Sequence, residues 1–174
     1  MAQLDVAYAA TKAQLIDTIR SAGPTSWDVL VPATPHWSVR DVVAHVTGLA
    51  ATGADGTIPA DLNLLEQFRD DDVVAARDAF ADGQVERRRE QSPADIVAEW
   101  EAAEPTLLDR MRGGVPGVDP LPLAFDAVLV TDVCVHADDV TAALGLAPDR
   151  TSAASGIALA TYAFGVDYRL RALG

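Results

Sequence analysis

Cysteine is nearly absent from this sequence, since Cys134 is the only one among 174 residues. A single cysteine excludes an internal disulfide, and chains without disulfides are typical of a reducing compartment. The first twenty residues also lack the basic region and unbroken apolar run that a secretory signal needs. We therefore expect a cytoplasmic protein.

Positive charge is scarce as well. Lys and Arg number 13 against 26 Asp and Glu, which gives a net charge of −13 and a pI of about 4.4. Such an acidic surface repels phosphate backbones and anionic membranes, so we expect neither nucleic acid nor a membrane as a partner. The one basic run, residues 87–89, is flanked by Glu86 and Glu90 within a predicted helix. We interpret it as a solvated face with local ion pairs.

Long apolar runs and period-two alternations are missing too. No segment reaches the roughly 20 apolar residues that a membrane span requires. Apolar residues recur instead at three- and four-residue intervals, which is typical of amphipathic helices. A chain of 174 residues is long enough to bury a sizeable core. We predict one all-α domain over residues 1–174, a four- to five-helix bundle.

Capping, proline and glycine signals set the expected helix boundaries. Ser38 and Asp41 are spaced as in a capping box, and Ser92 with Pro93 is typical of a helix start. Pro105 is expected to kink or split its helix. The predicted helices cover residues 3–22, 39–51, a broken pattern over 62–82, 93–112, a central helix within 121–146, and 150–172, with 113–122 as a connector.

Three polar residues of the central helix share one face. Asp132, His136 and Asp139 follow one another at helical spacing among apolar neighbours, so this face should point into the core. His45, on the second helix, lies on the buried side of that helix by the same periodicity. Buried carboxylates and imidazoles are costly unless something satisfies them. Either these side chains satisfy one another or they hold a metal.

The metal alternative has a definite composition. Asp132 and His136 from one helix, with His45 from a facing helix, supply three ligands and leave a position open for water or a thiol. Nitrogen and oxygen ligands without thiolate suit Zn²⁺, Ni²⁺, Fe²⁺ or Mn²⁺. A simple hydrogen-bonded pair is the competing interpretation, and spacing alone favours it because Asp-x3-His is a short and common pattern.

Other polar and aromatic residues are assigned mainly to packing. Cys134 should face away from the proposed site as a small packed residue, and His36 should lie in a surface loop. Aromatic side chains on helices are more often core than ligand contacts. We therefore expect core positions for Trp37, Trp100 and Trp27, while Tyr162, Tyr168 and Arg169 on the last helix have a substrate carboxylate as an alternative partner.

Two segments carry a family resemblance. HWSVRDVVAHVTG (36–48) and DVCVHADDVTAALG (132–145) resemble the DinB/YfiT-like superfamily, and within it the N-terminal, metal-binding domain of mycothiol-dependent maleylpyruvate isomerases. The shared pattern is a Trp and a capped helix start, R-D-x-x-x-H, and later an acidic residue or His four positions before H-x-x-D. The resemblance implies that His45, Asp132 and His136 are metal ligands, and it places Asp139 on the Asp that follows the last ligand.

The resemblance also implies a fold and a chemistry. We expect a four-helix bundle with one or two additional short helices, a divalent metal that is usually zinc, and mycothiol as cosubstrate. The implied reaction is thiol transfer to, or isomerisation of, a small electrophile, with a homodimer left open. A bundle that binds metal without catalysis, or a metal-free relative that binds a small apolar ligand or a partner subunit, remains an alternative.

One position departs from the isomerase pattern. Those relatives carry Glu where this chain has Asp132, whose side chain is shorter by one methylene. The lost reach is roughly 1.5 Å, the length of one C–C bond. Metal–ligand bonds tolerate only about ±0.2 Å. Either the backbone lies closer to compensate, or the metal is weakly held or absent.

Overall fold

The computed structural model describes residues 4–57, 70–113 and 125–172, and these residues are almost entirely helical. An isolated bridge between Leu30 and Ser38 is the only β-type pairing in these three ranges. The helices are α1 (Leu4–Ala22), a short 3-10 helix (Pro24–Asp28), α2 (Val39–Asp55), α3 (Asp71–Glu86), α4 (Pro93–Met111), α5 (Phe125–Ala143) and α6 (Ala153–Ala172). The all-α prediction is confirmed.

Four helices form a closed bundle. Both α1 and α2 contact α4 and α5, so these four helices surround a common core. The two remaining helices flank the bundle, α3 against α2 and α6 against α5 and α1. None of the described helices has the length and apolarity to cross a membrane.

Both expected capping signals operate. Ser38 accepts a hydrogen bond from the backbone N–H of Asp41, whose carboxylate accepts one from the Ser38 backbone. Ser92 and Asp95 repeat this arrangement at the start of α4, with Pro93 in the first turn. Each capping box satisfies backbone donors that a helix start would otherwise leave unpaired. The starts of α2 and α4 were therefore readable from local sequence.

Several features of the helices differ from the predictions. Helix α2 continues beyond residue 51 to Asp55 and is capped by Gly56, which adopts a left-handed conformation with φ 70°. Helix α3 continues beyond residue 82 to Glu86. Helix α4 runs without interruption through Pro105, so the predicted split does not occur. The predicted stretches 62–69 and 114–122 lie outside the described residues.

The interpretation of the basic run was wrong for Arg88. Helix α3 ends at Glu86, and the run lies in the following turn. Arg88 is buried, donates to the backbone carbonyl of Gln84 and pairs with Glu99 of α4. Arg87 and Arg89 match the expectation, because both are exposed and Arg89 pairs with Glu86. Sequence periodicity missed this because the partner of Arg88 lies on another helix.

Glycine allows α3 to approach α2 closely. A Cβ atom at Gly48 would lie 2.8 Å from the Cβ of Gln84, which is closer than side-chain atoms normally come. Arg40 of α2 then donates to the carbonyls of Arg88, Arg89 and Gln91 in the turn after α3. These contacts hold α3 beside the half of α2 that carries His45.

The core of the bundle contains one buried polar pair. Trp100 is fully buried, as predicted, and its Nε1–H donates to the Tyr8 hydroxyl at 2.9 Å. Burial raises the pKa of Tyr8 far above its usual value, because the phenolate would have to form in an apolar environment. Tyr8 thus stays protonated as long as the fold persists.

Replacing Tyr8 by Phe tests this pair. We expect the free energy of unfolding at neutral pH to fall by about 1–3 kcal/mol, because the buried Trp100 N–H loses its acceptor. Chemical denaturation of both proteins measures the difference.

The same variant has a second signature at high pH. A tyrosine whose folded pKa is raised contributes stability that is complete below its unfolded pKa of about 10 and is lost as pH rises above it. The stability of the native protein should therefore fall more steeply above pH 10 than that of Tyr8→Phe. Parallel slopes would show that Tyr8 does not carry this linkage.

Candidate functional site

The packing of α2 against α5 brings three predicted site residues together. His45 Nε2 of α2 lies 3.3 Å from Asp132 Oδ2 of α5. His136 Nε2, one turn further along α5, lies 3.9 Å from Asp132 Oδ1. The two imidazole rings are 5.1 Å apart between centroids and nearly perpendicular. One ligand atom from each of the three residues falls within 4.8 Å of the others.

The cluster is poorly satisfied by its own hydrogen bonds. His45 Nδ1, Asp132 Oδ2 and His136 Nδ1 are buried and have no hydrogen-bond partner among the described residues. The 3.3 Å contact between His45 and Asp132 lacks hydrogen-bond alignment, and the 3.9 Å contact of His136 is too long for one. The expected hydrogen-bonded Asp132–His136 pair is therefore not formed.

The pKa shifts of Asp132 and His136 favour the protonation states that bind a cation. Burial raises the pKa of Asp132, but the adjacent His45 and His136 outweigh burial and hold it below its usual value. Burial lowers the pKa of His136 in spite of Asp132 nearby. A carboxylate and a neutral imidazole are the protonation states in which these groups bind metals.

Asp139 lies behind His136. Its Oδ2 is 3.7 Å from His136 Nδ1, beyond hydrogen-bond distance but on the side of the ring that faces away from Asp132. Burial raises the pKa of Asp139, and the neighbouring His136 partly offsets that rise. Asp139 is thus positioned to accept the second N–H of His136 after a small movement.

The three residues lie on the wall of a cavity of about 540 Å³. Its lining is mostly apolar, and it includes aromatic rings from three helices and one loop. These rings belong to Phe80 of α3, Phe125 of α5, Tyr162 of α6 and Trp37 of the loop before α2. A mostly apolar cavity with a few converging polar groups is typical of small-molecule sites.

Trp37 packs against the core, as predicted, and also lies at the site. Its ring centroid is 5.2 Å from that of His45 and 6.3 Å from that of His136, tilted by 41° to both. The side chain is partly buried and lines the cavity. Trp37 therefore restricts the orientation of both imidazoles, a role that its loop position did not reveal.

Of the other residues considered in the sequence analysis, one lines the cavity and the rest lie elsewhere. Tyr162 lines the cavity, whereas Tyr168 and Arg169 do not. His36 is exposed, as predicted. Cys134 is buried and faces Ser155 of α6, at 3.8 Å, consistent with a packed residue that points away from the cluster.

Sequence reasoning missed the contribution of α3. Arg77, Asp78 and Phe80 line the cavity, and Arg77 pairs with Asp78 at 2.7 Å. Two exposed charged residues and a single Phe on a weakly amphipathic segment form no motif that would identify them as site residues. Only the packing of α3 beside α2 places them at the cavity.

Comparison with known proteins identifies the family. No curated protein and no solved structure matches the chain significantly. The sequence profile of the mycothiol maleylpyruvate isomerase N-terminal domain matches residues 8–141, a range that includes α2, all but the last two residues of α5 and all three residues of the cluster. The chain therefore belongs to the mycothiol maleylpyruvate isomerase N-terminal domain family.

Proposed function

We propose that the protein is a metal-dependent enzyme that uses a low-molecular-weight thiol, mycothiol, in thiol transfer to a small electrophile or in its isomerisation. His45, Asp132 and His136 would hold the metal. The observation that carries this proposal is their convergence, with buried and unpartnered polar atoms, on the wall of a largely apolar cavity. Family membership supports the choice of thiol.

Two of the three residues already have the spacing that a divalent cation needs, and the ligand atoms of all three lie within 4.8 Å of one another. Tetrahedral zinc with bonds of about 2.1 Å requires ligand atoms roughly 3.4 Å apart. His45 Nε2 and Asp132 Oδ2, at 3.3 Å, already satisfy this spacing. The short carboxylate of Asp132 therefore still reaches its neighbour on α2. Two nitrogens and one oxygen suit zinc, nickel, iron or manganese, and the family resemblance favours zinc.

The metal would activate the thiol, and the side chains would bind the electrophile and orient the metal ligands. When bound, the metal would lower the pKa of an incoming thiol from about 8.5, so that thiolate is available at neutral pH. The apolar walls from α3 and α5 exclude water and would bind the body of an apolar electrophile. Trp37 restricts the imidazoles, and Asp139 would orient His136 by accepting its second N–H.

Metal content tests the ligand set. Protein purified without chelator should contain about one divalent metal per chain, and both His45→Ala and His136→Ala should lose it. His36→Ala provides the matched control, because His36 is exposed and lies outside the cluster. Elemental analysis measures all four proteins, and equal metal in all of them would refute this site.

Chelation gives the same test a thermodynamic readout. A ligand that binds the native state alone stabilises it by RT ln(1 + [L]/Kd), so chelator should lower the Tm of the native protein and of His36→Ala. The Tm of His136→Ala should not respond. The alternative of a metal-free relative binding an apolar ligand predicts no response in any of them.

Asp139→Asn tests the residue behind His136. We expect metal affinity to fall by about 10- to 100-fold, as is typical when a group that orients a ligand histidine is altered. Asp138→Asn is the matched control, because Asp138 is adjacent in sequence but has no contact with His136. Competition with a chromophoric chelator measures the metal affinities. Equal losses of affinity in both variants would show that Asp139 does not orient His136.

Turnover separates an enzyme from a metal-binding bundle without catalysis. Metal-loaded protein should conjugate mycothiol to an apolar electrophile faster than the uncatalysed reaction, and His136→Ala should abolish the acceleration. Leu49→Ala, which enlarges the apolar wall without touching the cluster, should raise KM more than it lowers kcat. Fully loaded protein without turnover over a panel of electrophiles would favour the non-catalytic alternative.

A further inference from the structure

Helix α6 has two apolar faces. Its buried side, with Ala154 and Ala158, lies against the bundle. Another side exposes a line of large apolar residues that the described residues cover only in part. The exposed fractions are 73% for Leu159, 49% for Tyr162, 53% for Val166 and 62% for Leu170, and Ala163 between them is also exposed. A helix that is apolar all round is normally buried on all sides.

The exposed line has the spacing of a helix-pairing seam. Leu159, Ala163, Val166 and Leu170 are separated by four, three and four residues, the a/d pattern by which two helices pack together. We call these four residues the α6 seam. Scattered apolar surface residues need no explanation, but a contiguous seam of this length marks an interaction site.

The α6 seam is complementary to itself in the antiparallel direction. The intervals of four, three and four residues are the same in both chain directions. A two-fold axis between Ala163 and Val166 therefore places Leu159 of each copy opposite Leu170 of the other. Ala163 then faces Val166, a small residue against a larger one. Two-fold dimers require such a self-complementary patch, in which each residue of a pair makes the same contact twice. We infer that a second copy of this chain covers the α6 seam, with the two α6 helices antiparallel.

Charge favours this surface over the others. Two copies of a chain with net charge −13 repel one another over most of their surface. Helices α3, α4 and α5 each carry four more acidic than basic residues, whereas α6 carries two arginines against one aspartate. The excess negative charge is therefore lowest where the seam lies.

Flanking residues favour the antiparallel direction. Arg169 and Tyr162 lie on the same edge of the seam, and the two-fold arrangement brings Arg169 of one copy beside the Tyr162 ring of the other. A guanidinium over an aromatic face is stabilising. Antiparallel helices also place opposite ends of their dipoles side by side, whereas parallel helices align like ends.

The proposed interface borders the cavity. Thr161 and Tyr162 line the cavity, and Tyr162 flanks the α6 seam. Dimer formation would thus fix the Tyr162 side chain from outside and cover one edge of the cavity. The inference does not depend on the metal or on the thiol.

Oligomeric mass tests the interface. Light scattering of the eluting protein should give twice the 18.3 kDa of the chain. Leu159→Glu should convert it to a monomer without loss of helical signal, because Leu159 is exposed in the single chain. Val6→Glu, an equal change at an exposed apolar residue of α1, should remain dimeric. A monomeric native protein, including one whose seam is covered by its own chain, or a dimer unaffected by Leu159→Glu, would overturn the inference.

Cross-linking tests the direction. Leu159 and Leu170 of one chain are 11 residues apart, about 16 Å along the helix, so in the antiparallel dimer each faces only the other type. A mixture of Leu159→Cys and Leu170→Cys chains should form an intermolecular disulfide on mild oxidation. Each variant alone should not, and Cys134, buried in all samples, provides the common background. Cross-linking of Leu159→Cys with itself would instead show a parallel pair and refute the proposed arrangement.

Discussion

The approach of α2 to α5 is the constraint on which the rest of the structure depends. It brings His45 to 3.3 Å from Asp132 and leaves polar atoms of both residues, and of His136, buried without hydrogen bonds. Such a cluster lowers stability unless a bound group compensates for it. The surrounding contacts maintain it nevertheless: the Ser38 capping box fixes the start of α2, and Trp37 lies against both imidazoles. Buried polar groups without partners are typical of sites that are organised for a ligand.

The cavity gives this cluster its chemical context. Apolar walls lower the local dielectric, and charges interact more strongly there than in water. The walls come from segments with little sequence signal, such as Phe80 on α3 and Tyr162 on α6. Family membership accounts for the helical scaffold. Which small molecule the cavity can accept depends on the lining side chains of α3, α5 and α6.

Surface charge and surface apolarity are distributed unequally over the bundle. Acidic residues dominate α3, α4 and α5, which keeps those faces hydrated and separate. Helix α6 has neither this charge nor a purely polar outer face. Because Tyr162 belongs both to the outer face and to the cavity lining, the surroundings of α6 bear directly on the shape of the site.

The sequence by itself determined whatever depends on residues within about one helical turn. Apolar spacing identified the helices, Ser38 and Ser92 identified two of their starts, and Asp132 and His136 were placed on one face of α5. Tertiary structure alone decided that His45 lies close enough to meet them, that Trp37 lies beside the cluster, and that Arg88 is buried against Glu99. Hydrogen bonding and side-chain periodicity act between near neighbours, so they leave a local pattern. The distance between two helices depends on how side chains far apart in the chain fill the space between them, and no short stretch of sequence contains that information.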